Sequence, residues 1–346
     1  MAFIRFVRRS AAVAAACLFA VFAGAAVAQE VAAPGPTLQA VLERGHLICA
    51  TTDPLPGFAQ TGVEGRWTGF DVDFCRAVAA AIFNDPNRME FVPLSGVSRF
   101  AQLQTKEVDL VARNAPWTMR RDTGYGANYV AASFFDGQAF MVPQSLGVVS
   151  AFELDNVKVC VLDGGEDFAN LREFFFTTQA SYDEVLYESR EDLAVAYRSG
   201  LCNAVSAPAS WLNAIRRGLP QSATHRILPE RISKGAYGPV VRAGDDQWYD
   251  IVAWTLYGLI NAEEFGVTSL NIESLAAAKT HKIRRLLGLE GTFGPALGLE
   301  QGFIANVIRH VGNYGEIFDR HFGTAVVRGQ NALWINGGLL YAPPVE

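Results

Sequence analysis

The sequence predicts an α/β protein of two lobes joined by two crossover segments. Three observations lead there. Short apolar strands alternate with amphipathic helices between residues 46 and 112, the same alternation restarts at 157 and runs to a helix carrying Trp211, and an extended stretch at 239–242 follows the second series. Alternating strands and helices imply a parallel sheet covered on both faces. Two separate series with a return strand imply one lobe inserted into another.

Residues 46–51 are an apolar strand stopped by Pro54 and Pro56. After a turn at 65–70, Val72, Cys75, Ala79 and Ile82 recur at spacings of three and four, the stripe of a helix whose apolar face meets a core. Strand 91–94, helix 98–104 and strand 108–112 complete the first series, and residues 137–142 read as extended up to Pro143. The second series runs as strand 157–162, helix 166–176, helix 191–199 closed by Gly200, strand 201–205 and a helix carrying Trp211. Residues 239–242 are the return strand, followed by a helix over 247–265 that Gly266 terminates. This assigns 37–142 and 240–346 to lobe 1 and 143–239 to lobe 2. A cleft then lies where loops gather at the carboxyl ends of both sheets, and the two crossovers form a hinge.

Residues 1–28 have the layout of a secretory signal: Arg5, Arg8 and Arg9, an apolar run, then Ala26-Val27-Ala28 as a cleavage site. Arg8-Arg9 fits twin-arginine export poorly, so general secretion is expected, and Cys17 reads as a signal-core residue, not a lipid attachment site. No later stretch is long and apolar enough to span a bilayer, which predicts a periplasmic, soluble product. The formal charge is −6, and loss of the three signal arginines leaves −9 with no basic run, which argues against nucleic acid as a partner. Cys49, Cys75, Cys160 and Cys202 form an even set for an oxidising compartment. Of the three pairings they allow, Cys49 with Cys75 and Cys160 with Cys202 each stay inside one lobe. A zinc site lacks a CxxC spacing, and five histidines without paired spacing give no catalytic metal, so no cofactor is expected.

The stretches Trp67-Thr68-Gly69-Phe70-Asp71-Val72-Asp73, Leu103 to Asp109 and Trp117 to Asp122 resemble periplasmic amino-acid-binding proteins of ABC importers. Gly244 to Val252, Ile260 to Glu264, Val311 to Glu316 and Tyr341 to Pro344 are similar to the general L-amino-acid-binding subgroup. The likeness runs from about Thr37 to the carboxyl end and takes in all four cysteines. It implies the type 2 periplasmic-binding-protein fold and a monomer that captures a small solute and hands it to a membrane permease. In that family an arginine after the third strand holds the ligand's α-carboxylate, which the resemblance maps to Arg121, with Thr118 assisting. A guanidinium offers two parallel donors that match the two oxygens of a carboxylate. Trp117, Phe58 and Trp67 are candidate apolar walls, and Asn114 and Ser206 are candidate polar contacts.

Three departures stand out. The family's Thr-Gly-Thr-Thr turn is replaced by Asp163-Gly164-Gly165-Glu166-Asp167, its ammonium-binding aspartate falls at Pro208, and Ala115-Pro116 stands where hydroxyl residues are usual. Either Asp163, Glu166 or Asp167 receives the cationic end of the ligand, or the ligand is not an ordinary α-amino acid. The rival functions are a lyase or dehydratase on the same fold, using Glu166 or Asp167 as acid or base, and a periplasmic ligand sensor.

Overall fold

Apolar, β-branched runs build two five-stranded sheets, one in each lobe. The structure is a computed structural model and describes residues 31–52, 55–94, 98–323 and 326–346. The expected export signal, residues 1–28 with its arginines and Cys17, lies outside the described residues.

The chain opens with helix Pro36–Arg44, strand β1 (Leu47–Thr51), the hairpin β2 (Gln60–Thr61) and β3 (Trp67–Thr68), and helix Phe70–Phe83. Then come β4 (Met89–Pro93), helix Ser98–Gln104, β5 (Leu110–Val111), helix Met119–Gly124 and β6 (Ala127–Tyr129). A short β7 (Phe134–Asp136) leads into β8 (Gln138–Pro143), β9 (Val157–Leu162), helix Glu166–Thr178 and β10 (Tyr182–Tyr187). Helix Arg190–Arg198, β11 (Ala204–Pro208), helix Ala209–Arg217 and β12 (His225–Ile227) complete the second lobe. β13 (Gly235–Tyr237) leads back to β14 (Val240–Arg242) and helix Asp246–Glu264.

The first sheet has the order β4-β1-β5-β14-β6 and the second β10-β9-β11-β8-β12. Neither is wholly parallel, as the alternation predicted. β14 runs antiparallel to β5 and β6, and β8 runs antiparallel to β11 and β12. The strand that enters each lobe from a crossover, β8 in the second and β14 in the first, carries the opposite sense to the rest of its sheet. A second difference concerns residues 137–142, assigned from sequence to lobe 1. They form β8, which pairs within the second sheet because its near-continuous apolar side chains are buried on both faces there.

The two crossovers form a ribbon, β7 pairing antiparallel with β13 from Phe134–Tyr237 to Asp136–Gly235. Space is tight in it. A Cβ on Gly238 would lie 2.0 Å from the Ala131 carbonyl oxygen, and one on Gly137 would lie 2.5 Å from the Ser233 oxygen, so only glycine fits at either place. The side chain of Asn331 grips the outer strand of the ribbon. Its Oδ1 accepts from the Phe135 N–H at 2.7 Å and its Nδ2 donates to the Phe135 carbonyl at 2.8 Å.

Each disulfide staples one lobe. Cys49 on β1 is bonded to Cys75 on helix Phe70–Phe83, and Cys160 on β9 to Cys202 beyond helix Arg190–Arg198, with Cα separations of 6.2 and 5.7 Å. The carboxyl-terminal helices Phe303–Val311 and Tyr314–His321 share one apolar cluster with helices Phe70–Phe83 and Asp246–Glu264, and so cover the first sheet. Asp73 fastens this cover: its carboxylate meets Arg76 at 3.0 Å, Arg320 at 2.5 Å and His321 at 2.7 Å. Burial pushes its pKa up, but the His321 and Arg320 contacts outweigh that and hold it below the usual carboxylate range.

Candidate functional site

A cavity of about 530 Å³ lies between the lobes beside the ribbon. From the first lobe it is lined by Thr52, Arg113, Asn114, Pro116 and Arg121, and from the second by Gln138, Glu166, Asp167, Asn170, Arg190 and Pro208, with Lys234 and Tyr237 from the return crossover.

Arg121 is placed by local chain chemistry. Thr118 ends an extended segment and N-caps helix Met119–Gly124, its Oγ1 accepting from the Arg121 N–H at 3.4 Å. Arg121 Nη1 donates to the Pro116 carbonyl at 3.0 Å, and Nη2 reaches across the cleft to Glu166 Oε1 at 3.5 Å. Glu166 and Asp167 occupy the first turn of helix Glu166–Thr178, where the helix dipole favours negative charge. Arg190 opens helix Arg190–Arg198, lies 5.3 Å over the Trp211 ring and meets Asp167 Oδ2 at 3.6 Å. Burial raises the Asp167 pKa, an effect that Arg190 opposes and Glu166 and Asp136 reinforce.

A polar network stiffens the floor. Gln138 Nε2 donates to Ser206 Oγ at 2.9 Å and to the Asp167 carbonyl at 2.7 Å, while Asn170 donates to Gln138 Oε1 at 3.1 Å. Asp136, at the end of the ribbon, accepts from Ser210 Oγ at 2.5 Å and from the Gly137 N–H at 2.8 Å; burial raises its pKa despite these donors. Asp71 lies beneath the first-lobe wall, where the Asn114 N–H and the nearby Arg113 charge favour its ionised form, yet burial pushes its pKa up to about 7.

The residues singled out from sequence divide into two groups. Arg121, Asn114 and Glu166 line the cavity, and Thr118 caps the helix beneath. Phe58 does not reach the cavity. It is buried among Phe70, Phe134, Tyr237 and Phe322, where edge-to-face ring contacts hold it in the core. Trp67 sits in the β2–β3 hairpin against Phe91, and Trp117 stacks on Tyr129 with ring centroids 5.5 Å apart; neither lines the cavity. Asp163 is exposed outside the lining, with its N–H bonded to the Tyr187 carbonyl. Ser206 is fully buried and acts one layer back, through Gln138. Asp167, named from sequence only as an alternative, lines the cavity, as does Pro208.

Arg190, Gln138, Asn170, Arg113 and Lys234 line the cavity without having been singled out. Two left a trace in the sequence. Arg190 is a cation in the first turn of a helix, against the dipole, and Gln138 is a polar residue opening an otherwise apolar strand.

A family model described as bacterial extracellular solute-binding proteins, family 3, matches residues 47–267. The chain is 44% identical over 321 residues to the general L-amino acid-binding periplasmic protein AapJ of Rhizobium johnstonii, covering 91% of this chain and 94% of the relative. It is likewise 44% identical over 342 residues to the glutamate/glutamine/aspartate/asparagine-binding protein BztA of Rhodobacter capsulatus, covering 97% and 99%. A solved periplasmic binding protein of an ABC transporter from Brucella ovis, with glutathione bound, superposes with a TM-score of 0.84 at 41% identity, over 90% of this chain and 100% of that one. With its two lobes, its interlobe cavity and these matches over most of its length, the chain belongs to family 3 of the bacterial extracellular solute-binding proteins.

Proposed function

We propose that the chain is the periplasmic capture component of an ABC importer, taking an amino acid or amino-acid-like carboxylate between its lobes and presenting the closed form to a membrane permease. The observation that carries this reading is the Arg121 guanidinium in the interlobe cavity, facing Glu166 of the other lobe at 3.5 Å. A ligand carboxylate that replaces Glu166 on that fork gains a charge-assisted, planar contact to the first lobe, and the rest of the ligand is then left to reach the second. The relatives support it: those named above bind general L-amino acids, the acidic amino acids and their amides, and glutathione, all of which carry carboxylates. The signal layout of residues 1–28 and the periplasmic relatives support the compartment. The reading takes the chain as a monomer and a carrier, not a lyase or sensor, with its pivot in the crossovers between lobe 1 and lobe 2.

A small peptide is a second reading. The cavity of about 530 Å³ falls within the ~300–1,000 Å³ usual for drug-sized ligands, and the Asp163 to Asp167 turn, Ala115-Pro116 and Pro208 depart from the set that grips a single amino acid.

Titration calorimetry of the processed chain with the amino acids and with reduced glutathione tests both readings. One-to-one binding is expected, and Arg121→Ala should weaken it about 30-fold or more, the lower end of the ~2–5 kcal/mol lost when one partner of a buried charge pair is truncated. Unchanged affinity in that variant would remove Arg121 from the site and the basis of the reading with it.

A further inference from the structure

The cavity lining carries four cationic side chains, Arg113, Arg121, Arg190 and Lys234, against two carboxylates, Glu166 and Asp167. The chain as a whole is at −6. Arg113 also faces Asp71, whose ionised form its charge favours, so the excess rests on Arg121, Arg190 and Lys234 against Glu166 and Asp167, and an excess of positive charge inside an acidic protein favours an anionic guest. Two of these cations come from opposite lobes, and each is held by one carboxylate of the same helix turn: Arg121 by Glu166 at 3.5 Å, Arg190 by Asp167 at 3.6 Å.

Arg190 is held by Asp167 and the Trp211 ring, but its place on its own helix is unfavourable. A cation in the first turn works against the helix dipole, and Ser189 already caps this helix through the Asp192 N–H. Its side chain is 39% exposed, with one face over the Trp211 indole. Asp167, at 17% exposure, is largely withdrawn from water and needs a counter-charge if Arg190 turns to a ligand.

We propose that the ligand carries two carboxylates and one ammonium, one carboxylate taken by Arg121, the second by Arg190, and the ammonium by Asp167, which makes Arg190 the residue that separates diacids from monoacids. This rests on the capture reading above. A guest of net charge −1 offsets part of the lining's positive excess, keeps Asp167 paired and supplies an anion to each lobe, so that closing the cleft satisfies both guanidinia together. Glu166, more than half exposed, is the carboxylate that gives way.

The test uses titration calorimetry of the processed chain with L-glutamate and reduced glutathione, each compared with its two single amides in which one carboxylate has become a carboxamide. In the wild type, each amide of the better-bound acid should bind about tenfold or more weakly. Arg190→Gln should weaken the diacid by a similar factor and abolish the difference between the diacid and one of its two amides. Arg190→Lys, which keeps the charge but not the planar fork, should fall between. The inference is overturned if either amide binds within twofold of its acid in the wild type, a comparison that needs no variant to fold. Equal weakening of acid and both amides by Arg190→Gln overturns it as well. If the wild type binds the amides as well as the acids, capture stands and the diacid assignment falls; if it binds none of them, both fall.

Discussion

Replacing Glu166 with glutamine should make a carboxylate ligand bind more tightly while making the free protein slightly less stable. Glu166 Oε1 stands 3.5 Å from Arg121 Nη2, with 57% of the glutamate side chain and 24% of the arginine side chain exposed. An ion pair this open to water is worth about 0.2–1 kcal/mol. An incoming carboxylate has to displace it, so its removal should lower Kd by about 1.4- to 5-fold. The same carboxylate sits in the first turn of helix Glu166–Thr178, where a negative charge stabilises the helix by about 0.3–1 kcal/mol, so the melting temperature should fall a little. Calorimetry at low salt and at 1 M salt reads the first effect. The gain should shrink at high salt, where the Debye length is only about 3 Å. A several-fold loss of affinity at low salt would show that Glu166 holds the ligand itself, and no change would show that the cross-lobe pair does not compete with it.

Asp71, with its pKa raised to about 7 by burial, should make stability depend on pH. A folded pKa above the unfolded value near 3.9 means that its contribution is full below about pH 4 and is lost as pH rises through about 7. Between pH 5 and pH 9 this amounts to about 3 kcal/mol, so Asp71→Asn should gain on the wild type by that order in urea unfolding across the range; parallel pH profiles would rule the assignment out. Asn331→Ala removes both hydrogen bonds to the Phe135 backbone and should cost about 2 kcal/mol, with hydrogen exchange rising selectively at Phe135 and its neighbours in the ribbon. Unaltered protection there would mean that the carboxamide does not brace the crossover.

The fold was largely readable because its signals are local. Helix Ser98–Gln104 and strand Val157–Leu162 fall where periodicity put them, and the cysteine pairs follow from which elements share a lobe. Strand β10 was not legible, because Tyr182 to Tyr187 mixes two acids with half-exposed apolar residues at a sheet edge. Helix Pro36–Arg44 has no place in the series read from sequence, although Pro36 in the first turn is itself a start signal. The site was legible only where a motif surrounds the residue, as at Arg121. Phe58 and Trp67 show the limit on the other side, since an aromatic ring has the same letter in a core as in a binding wall. Gln138, Asn170 and Arg190 belong to three separate segments of the second lobe and Lys234 to the return crossover, and no window of sequence contains their meeting.

The pairing of β7 with β13 also bears on how a transporter would sense occupancy. Two strands bonded rung to rung bend as a single leaf, with one edge pinned by a carboxamide from the carboxyl-terminal segment. Rotation of the lobes would then be confined to the few peptide links at either end of that leaf, each stapled lobe travelling as a solid piece. A permease that touches both pieces at once would register the angle between them and need never contact the cargo.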